Sequence, residues 1–218
     1  MATPYLQFWE EEVSSTQDLA RARLGSLPVV VAARRQTAGR GRSGAAWDTA
    51  PRALAVSAAF RRPDEDRRPF SLMAGVAAAQ AIGGIRLKWP NDIISGGDKA
   101  GGILVERSSG VVVVGLGVNL WWPDPPEGVS ALRDSDPGVE ALGPIAGLWA
   151  AELFELVETE GWPSEEYRAL CDTLGREITW EPDGAGRALD IHPDGGLIVE
   201  IDGRRETITS GVVSHVRG

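Results

Sequence analysis

Cysteine, histidine and lysine are scarce in this chain of 218 residues, which contains one cysteine and two histidines. The single cysteine, Cys171, excludes an internal disulfide bond. The N-terminus has neither a basic stretch nor an apolar core of a signal peptide, so we expect a cytoplasmic protein. With only His192 and His215 available, the composition argues against a histidine-based triad or metal cluster.

Long apolar runs are also missing. No stretch approaches the roughly 18 residues that a membrane span needs, so no membrane association is expected. The net charge of −9 argues against broad nucleic-acid binding, which needs a positive surface. Five arginines nevertheless fall between Arg34 and Arg52, with Asp48 as the only acid among them. A basic loop on an acidic protein predicts a site for a small anion.

Lysine is replaced by arginine almost throughout, because only Lys88 and Lys99 are lysines among the 22 basic residues. Arginine is a flat fork with five donors, whereas lysine is a compact ammonium on a flexible stem. Two retained lysines therefore suggest places where the fork does not fit, although chance alone would also leave a few. A lysine at the end of an apolar strand can equally extend along the surface into solvent.

Two kinds of pattern divide the chain near residue 174. Up to that point apolar strands alternate with helices, whereas residues 175–218 contain short β-like runs between tight turns. We therefore predict an α/β (α+β) domain at residues 1–174 and a small β-barrel at residues 175–218. Predicted helices cover residues 69–82, 144–159 and 164–173, and predicted strands cover residues 29–33, 54–60, 85–94, 102–107 and 111–120. The strand at 85–94 is expected to be broken at Pro90.

The run GRGRSG at residues 39–44 matches the dinucleotide-binding pattern G-x-G-x-x-G. No helix is expected directly after it, so a Rossmann turn is disfavoured. Glycines let the backbone approach a ligand closely, and Arg40 and Arg42 can bind a carboxylate or phosphate. A solvated basic loop would have the same composition, and the run alone does not separate these two interpretations.

Three further segments combine polar groups with breaks in strand pattern. Residues 88–92, KWPND, place a cation, an amide and an acid around a proline that cannot donate to a strand ladder. They form either a bulge with capping polar groups or a bend that points Asn91 and Asp92 into a cleft. Lys99 precedes two glycines and an apolar strand, and residues 115–119, GLGVN, place glycines where a ligand would approach.

The order of these segments in one chain resembles the catalytic core of biotin–protein ligases. The resemblance rests on the paired GRGR and KWPND motifs and extends over nearly the whole chain. The segments that carry it are residues 14–16, 36–44 with Trp47, 88–92, 99–104 and 115–119, and in the tail 186–191 and 210–214. It implies a mixed β-sheet catalytic domain of the biotin/lipoate ligase type flanked by helices, followed by an SH3-like barrel.

The resemblance also implies the reaction and its participants. Biotin and MgATP would form biotinyl-adenylate and pyrophosphate, and a lysine of a biotin carboxyl carrier protein would then take the biotinyl group. The implied biotin site comprises Ser15, Thr16, Gln17, Gln36, Arg40, Gly41, Arg42, Lys99, Gly102, Gly115 and Gly117. The implied ATP and adenylate site comprises Arg40, Arg42, Trp47, Lys88, Asn91, Lys99 and Asn119.

The negative charges of the two reacting groups explain why the implied site needs cations. A carboxylate must attack a phosphate, and cations at the junction reduce the repulsion between the two anions. Lys99, Arg40 and Arg42 are the candidates for this role. In the second step the carrier amine must lose a proton, and Asp92 is the candidate to orient or deprotonate it. No protein-held metal cluster is expected.

Some features depart from the family pattern. Many members carry a second basic residue just before the loop tryptophan, where this chain has Ala45 and Ala46, so pyrophosphate contacts are expected to differ. About 13 residues precede Ser14, too few for the DNA-binding domain of some members, and we expect no operator binding. The fold analogy also allows a homodimer through sheet edges.

Other functions have different signatures. A lipoate or octanoyl transferase shares the fold but lacks the GRGR and KWPND pair. A catalytically silent biotin sensor would not need Lys99, Arg40 and Arg42. A nucleotide-linked dehydrogenase would need a helix directly after residues 39–44.

Overall fold

The computed structural model describes residues 3–44, 47 and 49–216, apart from the side chain of Ser43. Within them the chain forms two β-sheets and four α-helices. The first sheet contains β1 (Leu6–Val13), β2 (Val29–Gln36), β3 (Arg52–Arg61), β4 (Arg86–Lys88), β5 (Asp92–Ser95), β6 (Asp98–Ser108) and β7 (Val111–Trp121). The helices are α1 (Thr16–Arg23), α2 (Phe70–Ile82), α3 (Leu142–Glu158) and α4 (Ser164–Leu170). The second sheet contains β8 (Glu177–Trp180), β9 (Gly184–Ile191), β10 (Leu197–Ile201), β11 (Arg204–Ile208) and β12 (Val213–His215).

The larger sheet is mixed, as predicted. Its strand order is β1-β2-β3-β7-β6-β5-β4, in which only the β1–β2 pair is parallel. Strands β2, β3 and β7 are central and almost wholly buried, which explains their continuous apolar sequences.

Helices cover both faces of this sheet. Because successive side chains of a strand point to opposite faces, Val29 and Val31 pack with α1 in one apolar cluster, and Val30 and Ala32 belong to another cluster with α2 and α3. Helix α2 is buried along most of its length, and the indole N–H of Trp149 in α3 donates to the carbonyl of Ala74 at 3.2 Å. The cleft described below opens above the N-terminal half of β6 and the part of β7 that pairs with it.

The prediction of one strand broken at Pro90 is wrong in its form. Residues 85–94 contain two short antiparallel strands, β4 and β5, joined by a turn at residues 89–91 with a cis Trp89–Pro90 peptide bond. Pro90 has no N–H to donate to a strand ladder, so the strand cannot continue through it. The turn is held against β6 by the backbone N–H of Ile103, which donates to the carbonyl of Asn91 at 2.8 Å.

The smaller sheet confirms the predicted C-terminal β-structure but not a closed barrel. Its five antiparallel strands run in the order β11-β10-β9-β8-β12, and among the described residues β11 and β12 do not pair. Apolar side chains of this sheet, such as Ile178 and Val199, belong to the same cluster as those of α2 and α3. The boundary near residue 174 therefore stays a prediction about sequence pattern, since the two sheets share a core.

No helix in the described part of the chain is long and apolar enough to cross a membrane.

Candidate functional site

A cleft of about 300 Å³ brings together segments that are far apart in the sequence. It is bounded by the start of α1, the loop after β2, the β4–β5 turn, strands β6 and β7, and the C-terminal segment before β12. Of the residues expected at the site, those that line the cleft are Ser15, Thr16, Gln17, Gln36, Arg40, Gly41, Arg42, Trp47, Lys88, Asn91, Asp92, Lys99, Gly102, Gly115 and Gly117.

Asn119 is the exception, because it does not line the cleft. Its side chain is buried, and its Nδ2 donates to the carbonyl of Ser130 at 3.2 Å. The loop that contains Ser130 also pairs with Lys99 through the backbone and so covers this end of β7. The prediction of a ligand contact for Asn119 finds no support in this geometry.

One end of the cleft is polar and deeply buried. The side-chain Oε1 of Gln36 accepts hydrogen bonds from the backbone N–H of Thr16 at 2.8 Å and from its hydroxyl at 3.0 Å. The Thr16 hydroxyl also lies 2.8 Å from the hydroxyl of Ser57, which is wholly buried in β3. Gln17 is only 5% exposed; its Nε2 lies 3.4 Å from the carbonyl of Leu104, while its Oε1 has no partner among the described residues.

Ser57 was not expected from the sequence. It is a single hydroxyl in an otherwise apolar strand, ALAVSAAF, and that contrast is the signal that would have revealed it. A buried hydroxyl in such a strand must find a polar partner, and the partner here is Thr16.

Glycines form the floor of the cleft because side chains lie directly on them. A methyl group at Gly115 would come 2.9 Å from Gln17 Oε1, and one at Gly117 would come 3.1 Å from the indole of Trp47. The same indole lies over Gly102, where a methyl group would make ordinary contact at 3.5 Å. Because these glycines of β6 and β7 have no side chains, Trp47 and Gln17 can pack directly on the backbone of the two strands.

The loop after β2 closes one side of the cleft, and ion pairs hold it there. The guanidinium of Arg40 makes two 2.8 Å hydrogen bonds to Asp18 of α1 and one of 3.2 Å to Glu106 of β6. The hydrogen bonds that Arg40 donates to Asp18 lower the pKa of Asp18 and raise the pKa of Arg40. Neither acid was expected from the sequence as part of the site.

Arg42 connects the same loop to two other parts of the molecule. Its Nη1 lies 3.1 Å from Oδ1 of Asn91 and 3.2 Å from the carbonyl of Gly211. Ala45 and Ala46, where the family pattern suggested altered pyrophosphate contacts, lie outside the described residues.

The β4–β5 turn and β6 place a lysine and an acid in contact. Nζ of Lys99 lies 2.6 Å from Oδ1 of Asp92, with 41% and 21% of the two side chains exposed. Nδ2 of Asn91 donates to the carbonyl of Ile103 at 2.9 Å, which ties the turn to β6. Lys99 and Asp92 were expected in different steps of the reaction, and the fold makes them one ion pair.

The C-terminal unit contributes residues 211–214 to the cleft. Next to them, burial lowers the pKa of His215, and the positive charges of Lys88 and Arg176 lower it further. The acids Asp172 and Asp92 oppose this shift. Residues 210–214 had been expected only as part of the barrel, and no local pattern indicated their place at the cleft.

Within the described residues no group of three or more histidine, cysteine, aspartate or glutamate side chains could hold a metal ion. The cleft therefore combines a buried hydrogen-bonding pocket, an aromatic ring over a glycine floor, and a rim of four cations. Such a combination suits a small ligand with a polar head whose other end becomes attached to a phosphate.

Comparison with known proteins agrees with this description. Residues 10–120 match the Biotin/lipoate A/B protein ligase family. In an alignment of 225 positions the chain is 34% identical to a biotin–[acetyl-CoA-carboxylase] ligase of Mycobacterium tuberculosis, and the alignment covers 91% of this chain and 84% of that protein. It is 33% identical to the bifunctional ligase/repressor BirA of Bacillus spizizenii, covering 88% of this chain and 68% of that one.

Among solved structures, the biotin protein ligase of Aquifex aeolicus in complex with biotin and ATP superimposes with a TM-score of 0.80. The superposition covers 98% of this chain and 99% of that one at 25% sequence identity.

Proposed function

The chain belongs to the biotin/lipoate A/B protein ligase family, and from this premise we propose that it is an ATP-dependent biotin–[biotin carboxyl carrier protein] ligase. Biotin and ATP form biotinyl-5'-AMP and pyrophosphate, and a carrier lysine then displaces AMP to form an amide. One observation carries the proposal: the buried polar pocket and the cationic rim open into the same cleft.

The polar end of the cleft is proposed to bind the cyclic urea of biotin, which has two N–H donors and one carbonyl acceptor. Oε1 of Gln17 is a buried acceptor without a partner, and such a group destabilises a protein by about 1–3 kcal/mol. A ligand N–H would satisfy it. The hydroxyl of Thr16 already donates to Gln36, so the proposed donor to the urea carbonyl is the hydroxyl of Ser57, which would turn away from Thr16. Apolar side chains such as Leu116 line the walls.

The cationic rim is proposed to bring the biotin carboxylate to the α-phosphate of ATP. Lys99, Arg40 and Arg42 surround the open part of the cleft, where the two anions must meet. The attacking carboxylate oxygen forms a bond to phosphorus, and the bond to pyrophosphate breaks. Arg40 and Arg42 also hold the loop over the cleft, which limits hydrolysis of the adenylate.

The nucleotide is proposed to contact Trp47, Lys88 and Asn91. Mg²⁺ would arrive as MgATP, since this ion is usually held by substrate phosphates, water and one or two carboxylates. Asp92 and the side-chain carbonyl of Asn91 are the oxygen donors next to the rim, and they fit that limited role.

In the second step, Asp92 is proposed to orient and deprotonate the amine of the carrier lysine. Among the described residues it is the acid that lines the cleft, and its contact with Lys99 supports this proposed role. As the adenylate is consumed, the charge on Lys99 stabilises the AMP that leaves.

We further propose that the protein acts in the cytoplasm, that its partner is a biotin carboxyl carrier protein, and that it does not bind nucleic acid, which agrees with its net charge of −9. Strand β1 lies at an edge of the larger sheet, and a homodimer through such an edge is part of the proposal.

The test is transfer of labelled biotin, with MgATP, to a purified carrier domain. We expect labelling of the carrier, and none when the acceptor lysine of the carrier is replaced by arginine or when ATP is omitted. Lipoate in place of biotin should give no product. A folded protein that labels no carrier, or that prefers lipoate, would refute the proposed function.

A further inference from the structure

The β4–β5 hairpin carries three proposed site residues, and the tryptophan in its turn is one of several contacts that attach it to the C-terminal part of the chain. Trp89 is 2% exposed. Its indole Nε1 donates to the carbonyl of Gly195 at 2.9 Å, and its backbone N–H donates to Oγ1 of Thr173 at 3.0 Å. Both hydrogen bonds are buried and join residues 106 and 84 positions apart in sequence.

The acceptor on Gly195 belongs to a turn that is itself held in place. Gly195 has a φ of +92°, and a methyl group there would come 2.4 Å from Cβ of Pro69, at the start of α2. Two positions earlier, the carbonyl of Pro193 accepts a 2.7 Å hydrogen bond from the indole of Trp162. This turn is therefore packed tightly against the N-terminal part of the molecule, so that its carbonyl is a stationary partner for Trp89.

The acceptor on Thr173 is equally well supported. Thr173 is fully buried, and its Oγ1 lies 3.3 Å from Nε2 of His215 in β12. The preceding residue, Asp172, donates its backbone N–H to the carbonyl of Leu87 at 2.7 Å. The hydroxyl therefore connects the backbone of the turn to β12, which contains residues 213 and 214 of the cleft.

The β4–β5 hairpin is short, so contacts with neighbouring elements hold its turn, including a 3.0 Å hydrogen bond from Ser71 of α2 to the carbonyl of Pro90. Its strands contain three and four residues at the edge of the sheet, and the site residues Lys88, Asn91 and Asp92 lie at the end where the hairpin turns. A small displacement of catalytic groups has a large effect, since a misplacement of about 1 Å can reduce a rate by about 100-fold.

We propose that Trp89 is a positioning residue, which uses its hydrogen bonds to Gly195 and Thr173 to align the β4–β5 turn with the C-terminal wall of the cleft. The inference rests on the proposed function. Under this inference the C-terminal part of the chain affects adenylate formation in two ways. Some of its residues line the cleft, and others hold the β4–β5 turn in position through Trp89.

The test compares two tryptophans that make the same kind of buried hydrogen bond. Trp89→Phe removes the bond to Gly195, and the matched control Trp149→Phe removes the bond from Trp149 to Ala74, two residues that do not line the cleft. We measure biotin-dependent exchange between ATP and pyrophosphate, and unfolding in urea for both variants. Trp89→Phe should lower kcat about tenfold, or about 1.4 kcal/mol in activation free energy, and raise the KM for ATP.

The KM for biotin should stay within about twofold of wild type, because the polar pocket does not depend on the turn. Trp149→Phe should lose comparable stability but keep its kcat. If the two variants show the same kcat, Trp89 acts through packing alone and the inference is wrong.

A second pair of variants tests the hydroxyl of Thr173 with little change in side-chain volume. Thr173→Val removes the acceptor for the Trp89 N–H, and Thr173→Ser keeps it. We expect the valine variant to lose kcat and the serine variant to retain most of it. A valine variant with wild-type kcat overturns the inference while the proposed function stands, whereas a wild-type protein without biotin-dependent exchange overturns both.

Discussion

Replacing Lys99 by alanine should separate the rate of adenylate formation from the stability of the protein. The ammonium of Lys99 lies 2.6 Å from Asp92 and is 41% exposed, at the rim where the biotin carboxylate and the α-phosphate are proposed to meet. Alanine removes the charge and leaves the backbone of β6 unchanged. The substitution therefore tests the charge itself.

The size of each effect can be worked out from the surroundings of the side chain. Two unit charges about 4 Å apart in a partly shielded site interact by about 4 kcal/mol, which corresponds to about a thousandfold in rate. Exposed ion pairs contribute about 0–1 kcal/mol to stability, and Lys99 is exposed enough for this range to apply. We therefore expect kcat for pyrophosphate exchange to fall about a thousandfold while the free energy of unfolding changes by less than about 1 kcal/mol.

The assay is biotin-dependent pyrophosphate exchange with urea unfolding of the same preparations. Arg35→Ala is the control, because Arg35 forms a 2.6 Å pair with Glu12, does not line the cleft and should keep full activity. Lys99→Arg should also be slow, since a planar fork does not replace a compact ammonium in a narrow site. A Lys99→Ala protein that reacts within tenfold of wild type would refute the assignment.

Three further predictions follow from contacts at and near the cleft. Gly115→Ala places a methyl group 2.9 Å from Gln17 Oε1 and should raise the KM for biotin about tenfold, the effect of about one disturbed buried hydrogen bond, in steady-state kinetics. Asp18→Asn weakens the pair with Arg40 and should speed the escape of adenylate up to about fivefold in a trapping assay, whereas unchanged escape would contradict a closing role. Burial lowers the pKa of His215 below 6.5, so the unfolded chain binds a proton that the folded chain does not. Stability should fall as the pH drops through about 6.5, and His215→Gln should flatten the dependence of the urea midpoint between about pH 7.5 and 5.5; identical slopes would contradict this.

Most of the residues that line the cleft could be predicted, because they occur in short segments with unusual combinations of residue types. The loop with Arg40 and Arg42, the KWPND turn and Lys99 each combine unusual residue types within a few positions. Glycines and a proline interrupt the regular strands within these segments, and such interruptions indicated that the segments face a cleft. The fold class followed from the same local signals, with the period of apolar residues separating the strands from the helices.

Where the structure differs from what the sequence suggested, the cause is a contact between residues that are far apart in the chain. Asn119 follows two glycines of the cleft floor, yet a distant loop covers it at Ser130. The break at Pro90 was visible, but whether it bends a strand or reverses it depended on pairing with β6. Residues 211–214 carry no catalytic signature, and they reach the cleft because the second sheet packs on the first.

The sequence by itself determined the alternation of helices and strands and the ionic side chains of the proposed site, because secondary structure and ionic character depend on nearby residues. Only the tertiary structure decided how those groups are used. It left Oε1 of Gln17 without a partner, paired Lys99 with Asp92, and placed the carbonyl of Gly195 within reach of Trp89. Each of these facts requires packing of segments separated in the chain, and packing depends on the shapes of whole surfaces, which no single segment contains.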